Sequence, residues 1–385
     1  MTRWVLHAGY SKTGTTALQE FLAARRKALL ARSVLYPDAT IAGLPLRMEN
    51  HNAVAGALAG LPEERGITAE GYFRQFSRSA AARSDLDLVI LSAEGFSGHP
   101  NVVLYPDETA FREAEDRYIG ALRALTRPHE VEIILYLRRQ DHWLNTSANQ
   151  QIKFEGRNAG PAFDTMEEFL AIQKPRLDYL TSLDCWAAHF GAENITVRPY
   201  ESAQLRDGSV ISDFMALIGR PDIAEPTGPR AKSANPGLSD DVLEFKRRIN
   251  PTIRSRSEIE AVGDMLTRIS VDMGGKSSSL LDPALRHAIV EKYEPINREI
   301  ARRYLGRPDG RLFLDPWPET TDPWERYPGL SPETEAEIAH RLRLRRASLS
   351  GRALVLRKRL GAALRDVSPR AHLVMRSLRG ALPWR

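Results

Sequence analysis

The chain has 385 residues, of which 42% are hydrophobic and 27% are charged. This composition is typical of a globular protein with a large core and excludes a disordered, collagen-like or coiled-coil chain. The longest apolar runs are far shorter than the roughly 18 to 20 residues of a membrane-spanning helix. The amino terminus lacks the apolar region and the cleavage site of a secretory signal. Together with a single cysteine, Cys185, these features predict a cytoplasmic protein without disulfides or a metal site.

The positive charge is concentrated at the carboxyl terminus. The net charge is +5, but residues 341–385 hold thirteen Lys or Arg and one acid, a net +12, which leaves −7 for the rest. We therefore predict a domain over residues 1–330, helical from about 238, followed by a basic helical arm over 331–385. Leucines and valines among the arginines of the arm predict an amphipathic helix.

Two interpretations of the arm remain open. In the first, the arm binds an anionic membrane surface, which would place the protein at the inner face of the membrane. In the second, the arm docks on its own domain. No recognised nucleic-acid-binding module accompanies the charge, so we expect no nucleic-acid partner.

Apolar runs and helical periodicities alternate along the first 200 residues. The predicted strands are Trp4–Ala8, Leu86–Ser92, Val131–Leu137 and Ile195–Arg198. The predicted helices are 17–31, 52–61, 69–83, 107–126, 140–153 and 177–190, then 240–249, 257–269 and 283–304. Continuous apolar strands are typical of a parallel sheet covered on both faces. The alternation predicts an α/β three-layer sandwich with a central parallel sheet and helical additions after it.

The loop after the first strand has the composition of a phosphate-binding loop. It reads Gly9-Tyr10-Ser11-Lys12-Thr13-Gly14-Thr15-Thr16. Glycines let backbone amides converge on an anion, and the following helix terminus adds partial positive charge. A Walker A loop has its lysine directly after its second glycine, whereas Lys12 precedes Gly14 by two residues. The position of the lysine in this P-loop-like segment therefore disfavours a nucleotide kinase or ATPase. A kinase or ATPase of the P-loop type stays one alternative, and a non-catalytic nucleotide-binding regulatory module is another.

A second candidate phosphate contact follows the strand Val131–Leu137. Arg139 comes just after this strand, and Ser147 lies eight residues further, about two helical turns away. A guanidinium and a hydroxyl at this spacing can face one phosphate. In the alternative interpretation, Arg139 caps the sheet edge and Ser147 is a solvated helix residue.

Both motifs resemble those of sulfotransferases that use 3′-phosphoadenosine 5′-phosphosulfate (PAPS). The run Lys12-Thr13-Gly14-Thr15-Thr16 is similar to the phosphosulfate loop of that family, and Arg139 with Ser147 is similar to its 3′-phosphate site. The resemblance covers residues 4–219 and is greatest to a bacterial branch linked to carbohydrate or glycolipid acceptors. It implies that these residues bind PAPS and that a sulfuryl group is transferred to an acceptor hydroxyl, with no metal.

One family feature is missing from this sequence. The Arg-Lys-Gly-x-x-Gly-Asp-Trp-Lys segment, by which cytosolic sulfotransferases hold the 3′-phosphate, is absent. The nearest candidate for a loop that covers the nucleotide is 228–233.

Three residues are candidates for catalysis. Lys12 is placed to neutralise charge in the transition state. Glu94 follows the strand Leu86–Ser92 at the sheet edge where doubly wound folds bind ligands, and carbohydrate sulfotransferases use a glutamate as the base, so it is our preferred base. His51 is the competitor, because its ordinary pKa of about 6.5 suits proton transfer. Alternatively, Glu94 caps a helix or pairs with Arg138.

Overall fold

The structure is a computed structural model. It describes residues 2–41, 44–61, 66–98, 101–105, 107–154, 163, 165–224 and 237–345. The candidate covering loop 228–233 and arm residues 346–385 lie outside the described residues. No helix in the described part of the chain is both long and apolar enough to cross a membrane.

The chain divides into two compact units. The first consists of Met1–Gln151, Gly160–Pro236 and Ser279–Arg326, and the second of Ile152–Ala159, Gly237–Ser278 and Tyr327–Arg385. The second unit groups the helices within 237–278 with the segment that begins at Tyr327, and the predicted boundary at residue 330 stays a prediction. Residues 332–345 of the predicted arm are helical.

Seven strands lie in the described part of the first unit. They are β1 Arg3–His7, β2 Val34–Leu35, β3 Ala39–Ile41, β4 Leu44–Leu46, β5 Leu88–Ser92, β6 Val131–Leu137 and β7 Ile195–Pro199. Strands β3 and β4 form a small antiparallel hairpin. The other five strands form one sheet in the order β2-β5-β1-β6-β7, and every neighbouring pair is parallel. The predicted parallel sheet is confirmed.

The helices alternate with these strands. They are α1 Thr15–Ala24, α2 Arg26–Leu30, α3 Asn52–Leu58, α4 Ala69–Ala81, α5 Gly95–Gly98, α6 Glu108–Thr126, α7 Gln140–Phe154, α8 Met166–Leu177, α9 Tyr179–Phe190, α10 Val210–Leu217, α11 Asp240–Ile249, α12 Arg256–Met273 and α13 Pro283–Leu305. Of these, α11 and α12 belong to the second unit.

Apolar side chains cover both faces of the sheet. Successive residues of a strand point to opposite faces, so Trp4 and Leu6 of β1 pack on one side and Val5 on the other. The first face is covered by helices that include α4, α6 and α9. The second face is covered by α1 and α10, through residues such as Leu18 and Phe214. The predicted three-layer sandwich is therefore confirmed.

The strand order creates a crevice at the end of β1. From β1 the chain runs to β2, at one edge of the sheet, whereas from β6 it runs to β7, at the opposite edge. Connections that depart in opposite directions open a crevice at the carboxyl ends of the strands, and ligands of doubly wound folds bind there. The residues that follow β1 and β6 are therefore the first place to look for a site.

The central strands should dominate the stability of the first unit. We expect Leu135→Ala in β6, whose side chain is fully buried, to lower the free energy of unfolding by about 2–5 kcal/mol. The control is Leu104→Ala, at a leucine that is 68% exposed. This substitution should change the free energy of unfolding by less than about 0.5 kcal/mol. Urea unfolding measures both, and equal losses would contradict the assigned core.

Candidate functional site

Three neighbouring strands end at the same edge of the sheet. In the sheet register, His7, the last residue of β1, pairs with Ser92, the last residue of β5, and with Ile134 of β6. The loops after these strands carry Lys12, Glu94 and Arg138. The fold thus places one acid and two cations around the crevice beside β1.

The loop after β1 has a backbone conformation that few sequences tolerate. Lys12 and Gly14 have positive φ values of 70° and 76°, which an L-residue adopts only at a cost. A Cβ atom at Gly14 would also lie 2.9 Å from the Tyr200 hydroxyl oxygen. The Thr13 hydroxyl donates a hydrogen bond to the Tyr10 carbonyl at 2.6 Å. These constraints fix the loop in one tight turn.

The amino terminus of α1 is open to an anion. Gly14 is its N-cap residue, and among the described residues no side-chain cap accepts a hydrogen bond from the N–H groups of the first turn. Free N–H groups and the helix dipole favour a negatively charged ligand there. Thr16 is exposed on this turn, whereas Thr15 is buried and its hydroxyl donates to Oε1 of Glu94. Glu94 is therefore anchored beside the helix terminus.

Lys12 and Arg138 bring two half-buried positive charges together. The Arg138 guanidinium donates to the Lys12 carbonyl at 3.1 Å. Burial lowers the pKa of Lys12, the Glu94 carboxylate opposes this effect, and Arg138 adds to it. Burial likewise lowers the pKa of Arg138. The ion pairs formed within the described residues include neither cation, so an anionic ligand would supply the missing negative charge.

Aromatic side chains hold this arrangement in place. The Tyr179 hydroxyl donates to the Arg138 carbonyl at 2.8 Å, and the Tyr179 ring packs edge-on against Tyr10 with 5.0 Å between centroids. The Arg138 guanidinium lies 6.0 Å from the centroid of the Tyr200 ring. Tyr10 belongs to the loop after β1 itself, whereas Tyr179 and Tyr200 lie outside the motifs, and only the packing of distant segments identifies them.

Arg139 has a different environment from the predicted one. It is buried, and its guanidinium donates to both carboxylate oxygens of Asp141 and to the carbonyls of Asp315 and Pro316. A fifth contact reaches His142 Nε2 at 3.3 Å. These contacts use all five N–H groups of an arginine. The geometry conflicts with the predicted phosphate contact, because no donor remains for a ligand.

Asp141 is the centre of this buried ion-pair cluster. Arg286 donates to the same carboxylate as Arg139, with N–O distances of 3.1 and 3.2 Å. Burial alone raises the pKa of Asp141, but the hydrogen bonds and charges of Arg139, His142 and Arg286 outweigh it and hold the pKa below its usual value. The cluster fixes the start of α7, the helix that also carries Ser147.

Ser147 offers an unused hydroxyl. Its Oγ atom is buried, and no group in the described residues forms a hydrogen bond with it. Buried polar atoms are nearly always paired, so this hydroxyl is available to a ligand or a water molecule. The observation fits the predicted role of Ser147 in binding a phosphate.

His51 is enclosed in the core, against the prediction of a base. The Ser92 N–H donates to Nδ1 at 3.0 Å, and Nε2 faces the Pro37 carbonyl at 3.1 Å. The ring therefore carries its proton on Nε2 and has no free lone pair. Burial lowers the pKa of His51 to about 4, despite these hydrogen bonds. The geometry indicates a structural role, in which His51 ties the end of β5 to the segment before β3.

Comparisons with known proteins give two partial similarities. No protein-family model matches the chain. Over 177 residues the chain is 29% identical to an uncharacterised protein of Archaeoglobus fulgidus, and the match covers 46% of each chain, so it spans about half of that relative. Among solved structures, the chain is similar to a sulfotransferase from Alicyclobacillus acidocaldarius, with 14% identity and a TM-score of 0.32 over 69% of this chain and 96% of the other.

The buried Arg139–Asp141 pair leads to a stability prediction. Its side chains are 3% and 0% exposed, so Asp141→Asn leaves a buried cation without its counter-charge, and we expect a loss of about 3–5 kcal/mol. Asp222→Asn is the control, because Asp222 pairs with Arg32 at the surface and is 55% exposed. It should cost less than about 1 kcal/mol. Chemical denaturation compares the two variants, and similar losses would refute the buried cluster.

Proposed function

We propose that the chain is a sulfotransferase that transfers a sulfuryl group from PAPS to a hydroxyl of a carbohydrate or glycolipid acceptor. The observation that carries this proposal is the pair of half-buried cations, Lys12 and Arg138, beside the open terminus of α1. Two positive charges that form no ion pair among the described residues suit a ligand with several negative charges. The resemblance of residues 12–16 to a phosphosulfate loop supports PAPS as that ligand.

The contacts of Arg139 change the assignment of the nucleotide contacts. Lys12 and the first-turn N–H groups of α1 would bind the phosphosulfate, as the loop motif predicts. Arg138 supplies the guanidinium that Arg139 cannot offer, while the orphan hydroxyl of Ser147 supports the 3′-phosphate role given to it. Arg139 then acts through Asp141, by holding the start of α7 in place.

The proposed reaction is a direct displacement at sulfur. The bond between sulfur and the bridging phosphate oxygen breaks as the acceptor oxygen bonds to sulfur, which gives a sulfate ester and 3′-phosphoadenosine 5′-phosphate (PAP). Lys12 offsets the negative charge that grows on the leaving oxygen. Glu94 takes the proton of the acceptor hydroxyl. The hydrogen bond from Thr15 to Oε1 orients the carboxylate and leaves Oε2 for that proton.

Nucleotide binding tests the proposed donor. PAP should raise the melting temperature without added magnesium, and more than AMP does, because AMP lacks the 3′-phosphate. Arg138→Ala should weaken PAP binding at least about tenfold, since a hydrogen bond between charged groups contributes about 1.5–3 kcal/mol. Arg32→Ala, at an exposed arginine, is the matched control and should leave PAP affinity unchanged. Equal shifts from PAP and AMP, or a larger shift from magnesium-ATP, would refute PAPS as the donor.

Substitution of the base tests the chemistry. Glu94→Gln keeps the shape of the side chain but cannot take up a proton, so turnover should fall about 10²- to 10⁴-fold while PAP affinity stays nearly constant. Turnover is measured as the transfer of the labelled sulfuryl group from PAPS to water or to each of a panel of alkyl glycosides. Lys12→Ala should reduce both binding and turnover. Glu20→Gln, on the exposed side of α1, is the control. Near-normal turnover of Glu94→Gln would show that the base is misassigned.

A further inference from the structure

Three side chains of metal-ligand type meet where α6 and α9 pack together. Asp116 lies on α6, and Cys185 and His189 lie four residues apart on α9, a spacing that puts both on one face. His189 Nε2 is 2.8 Å from Asp116 Oδ1, and Cys185 Sγ is 3.8 Å from the same oxygen. One ligand atom from each residue lies within 4.8 Å of the other two. The group combines a thiol, an imidazole and a carboxylate.

A glycine in α6 makes room for the imidazole. Gly120 follows Asp116 by one helical turn, and a Cβ atom there would lie 3.0 Å from Cε1 of His189. Glycine inside a helix costs about 1 kcal/mol relative to alanine, and Gly120 lies within the 19 residues of α6. The bare backbone at this position allows the ring to approach α6 closely enough to meet Asp116.

We propose that Asp116, Cys185 and His189 bind a divalent transition-metal ion of the zinc class and thereby cross-link α6 to α9. Sulfur and nitrogen ligands select Zn²⁺ and its relatives, whereas Mg²⁺ and Ca²⁺ prefer oxygen ligands alone. On binding, the Cys185 thiol releases its proton to solvent and the sulfur bonds to the metal. The cluster reaches the surface, because Asp116 is exposed, so water completes a four-coordinate site.

The distance of 3.8 Å between Cys185 Sγ and Asp116 Oδ1 is that of two neighbouring ligands in a tetrahedral site. Metal–ligand bonds of about 2.0–2.3 Å separate neighbouring ligand atoms by about 3.3–3.8 Å. The distance of 2.8 Å between His189 Nε2 and Asp116 Oδ1 is shorter than this, so the Asp116 oxygen must move at least about half an ångström away from His189. The Asp116 side chain is 63% exposed, so this movement meets little resistance. The sequence shows no metal-ligand spacing here, and no metal is predicted from it. Asp116 lies 69 residues from Cys185, and only folding brings the two side chains together.

The cross-link would act on the helix that supports the candidate site. The first residue of α9, Tyr179, donates a hydrogen bond to the Arg138 carbonyl, and Cys185 and His189 lie further along the same helix. A metal ion between α6 and α9 would hold this helix pair together independently of any nucleotide. The inference does not depend on the proposed transferase activity.

Cobalt spectroscopy tests the site without an activity assay. The metal-free full-length chain is titrated with Co²⁺, and we expect a near-ultraviolet band from thiolate-to-cobalt charge transfer that Zn²⁺ abolishes and Mg²⁺ does not. Cys185→Ser should remove the band. His189→Gln should weaken binding at least about tenfold, since even residues that only hydrogen-bond to a metal ligand contribute about 10- to 100-fold to metal affinity. His340→Gln, at an exposed histidine of the second unit, is the control and should bind as the parent does.

A second variant leaves all three ligands in place. Gly120→Ala crowds the imidazole and should weaken Co²⁺ binding, whereas Gly56→Ala in α3, where the nearest side-chain atom is 3.8 Å away, should not. Circular dichroism confirms that each variant is folded. Absence of the thiolate band in the folded parent chain, or a Cys185→Ser variant that binds Zn²⁺ as tightly as the parent, would overturn the proposal.

Discussion

The candidate site depends on two positive charges, Lys12 and Arg138, which the fold holds close together and which form no ion pair in the part of the chain that the structure describes. Lys12 is fixed by the positive φ of its own backbone and Arg138 by the hydrogen bond from Tyr179 to its carbonyl. A half-buried cation loses hydration, and burial therefore lowers the pKa of both residues. The charge of Arg138 lowers the pKa of Lys12 further. Such an arrangement persists only when the surrounding structure enforces it, and it favours any ligand that brings negative charge.

The enforcing element is the central sheet. Strands β1, β5 and β6 are covered by apolar side chains on both faces, so their ends cannot shift without opening the core. Their register brings the loops that carry Lys12, Glu94 and Arg138 to one edge. The tight turn after β1 then starts α1 with an uncapped terminus. Sheet, turn and helix together prepare an anion site before any ligand arrives.

Much of this framework could be predicted from local sequence patterns. The strand Val131–Leu137 and the helix Asp240–Ile249 have the predicted bounds, because continuous apolar runs and helical periodicity are local signals. The short edge strand β2 and helix α8 were not predicted. Two residues form β2, too few for a periodic pattern, so tertiary packing determines this strand. Helix α8 does carry a local start signal, the capping box of Thr165 and Glu168, which a search for long apolar runs does not detect.

The individual contacts of the site were less predictable. Arg139 follows its strand as the motif predicts, yet its donors go to Asp141 and to carbonyls about 176 residues away. His51 has a suitable side chain for a base, but its ring is enclosed between Ser92 and Pro37. Residue type and spacing can place a side chain near a crevice. Which hydrogen bonds it makes there depends on segments that approach only in the folded chain.

A crystal structure of the chain with PAP would test the central claim most directly. The account predicts that the 5′-phosphate lies against the first turn of α1, within hydrogen-bond reach of Lys12, and that Arg138 contacts phosphate while Arg139 stays paired with Asp141. Density for PAP away from the loop after β1, or a phosphate bound by Arg139 with Arg138 turned away, would contradict it.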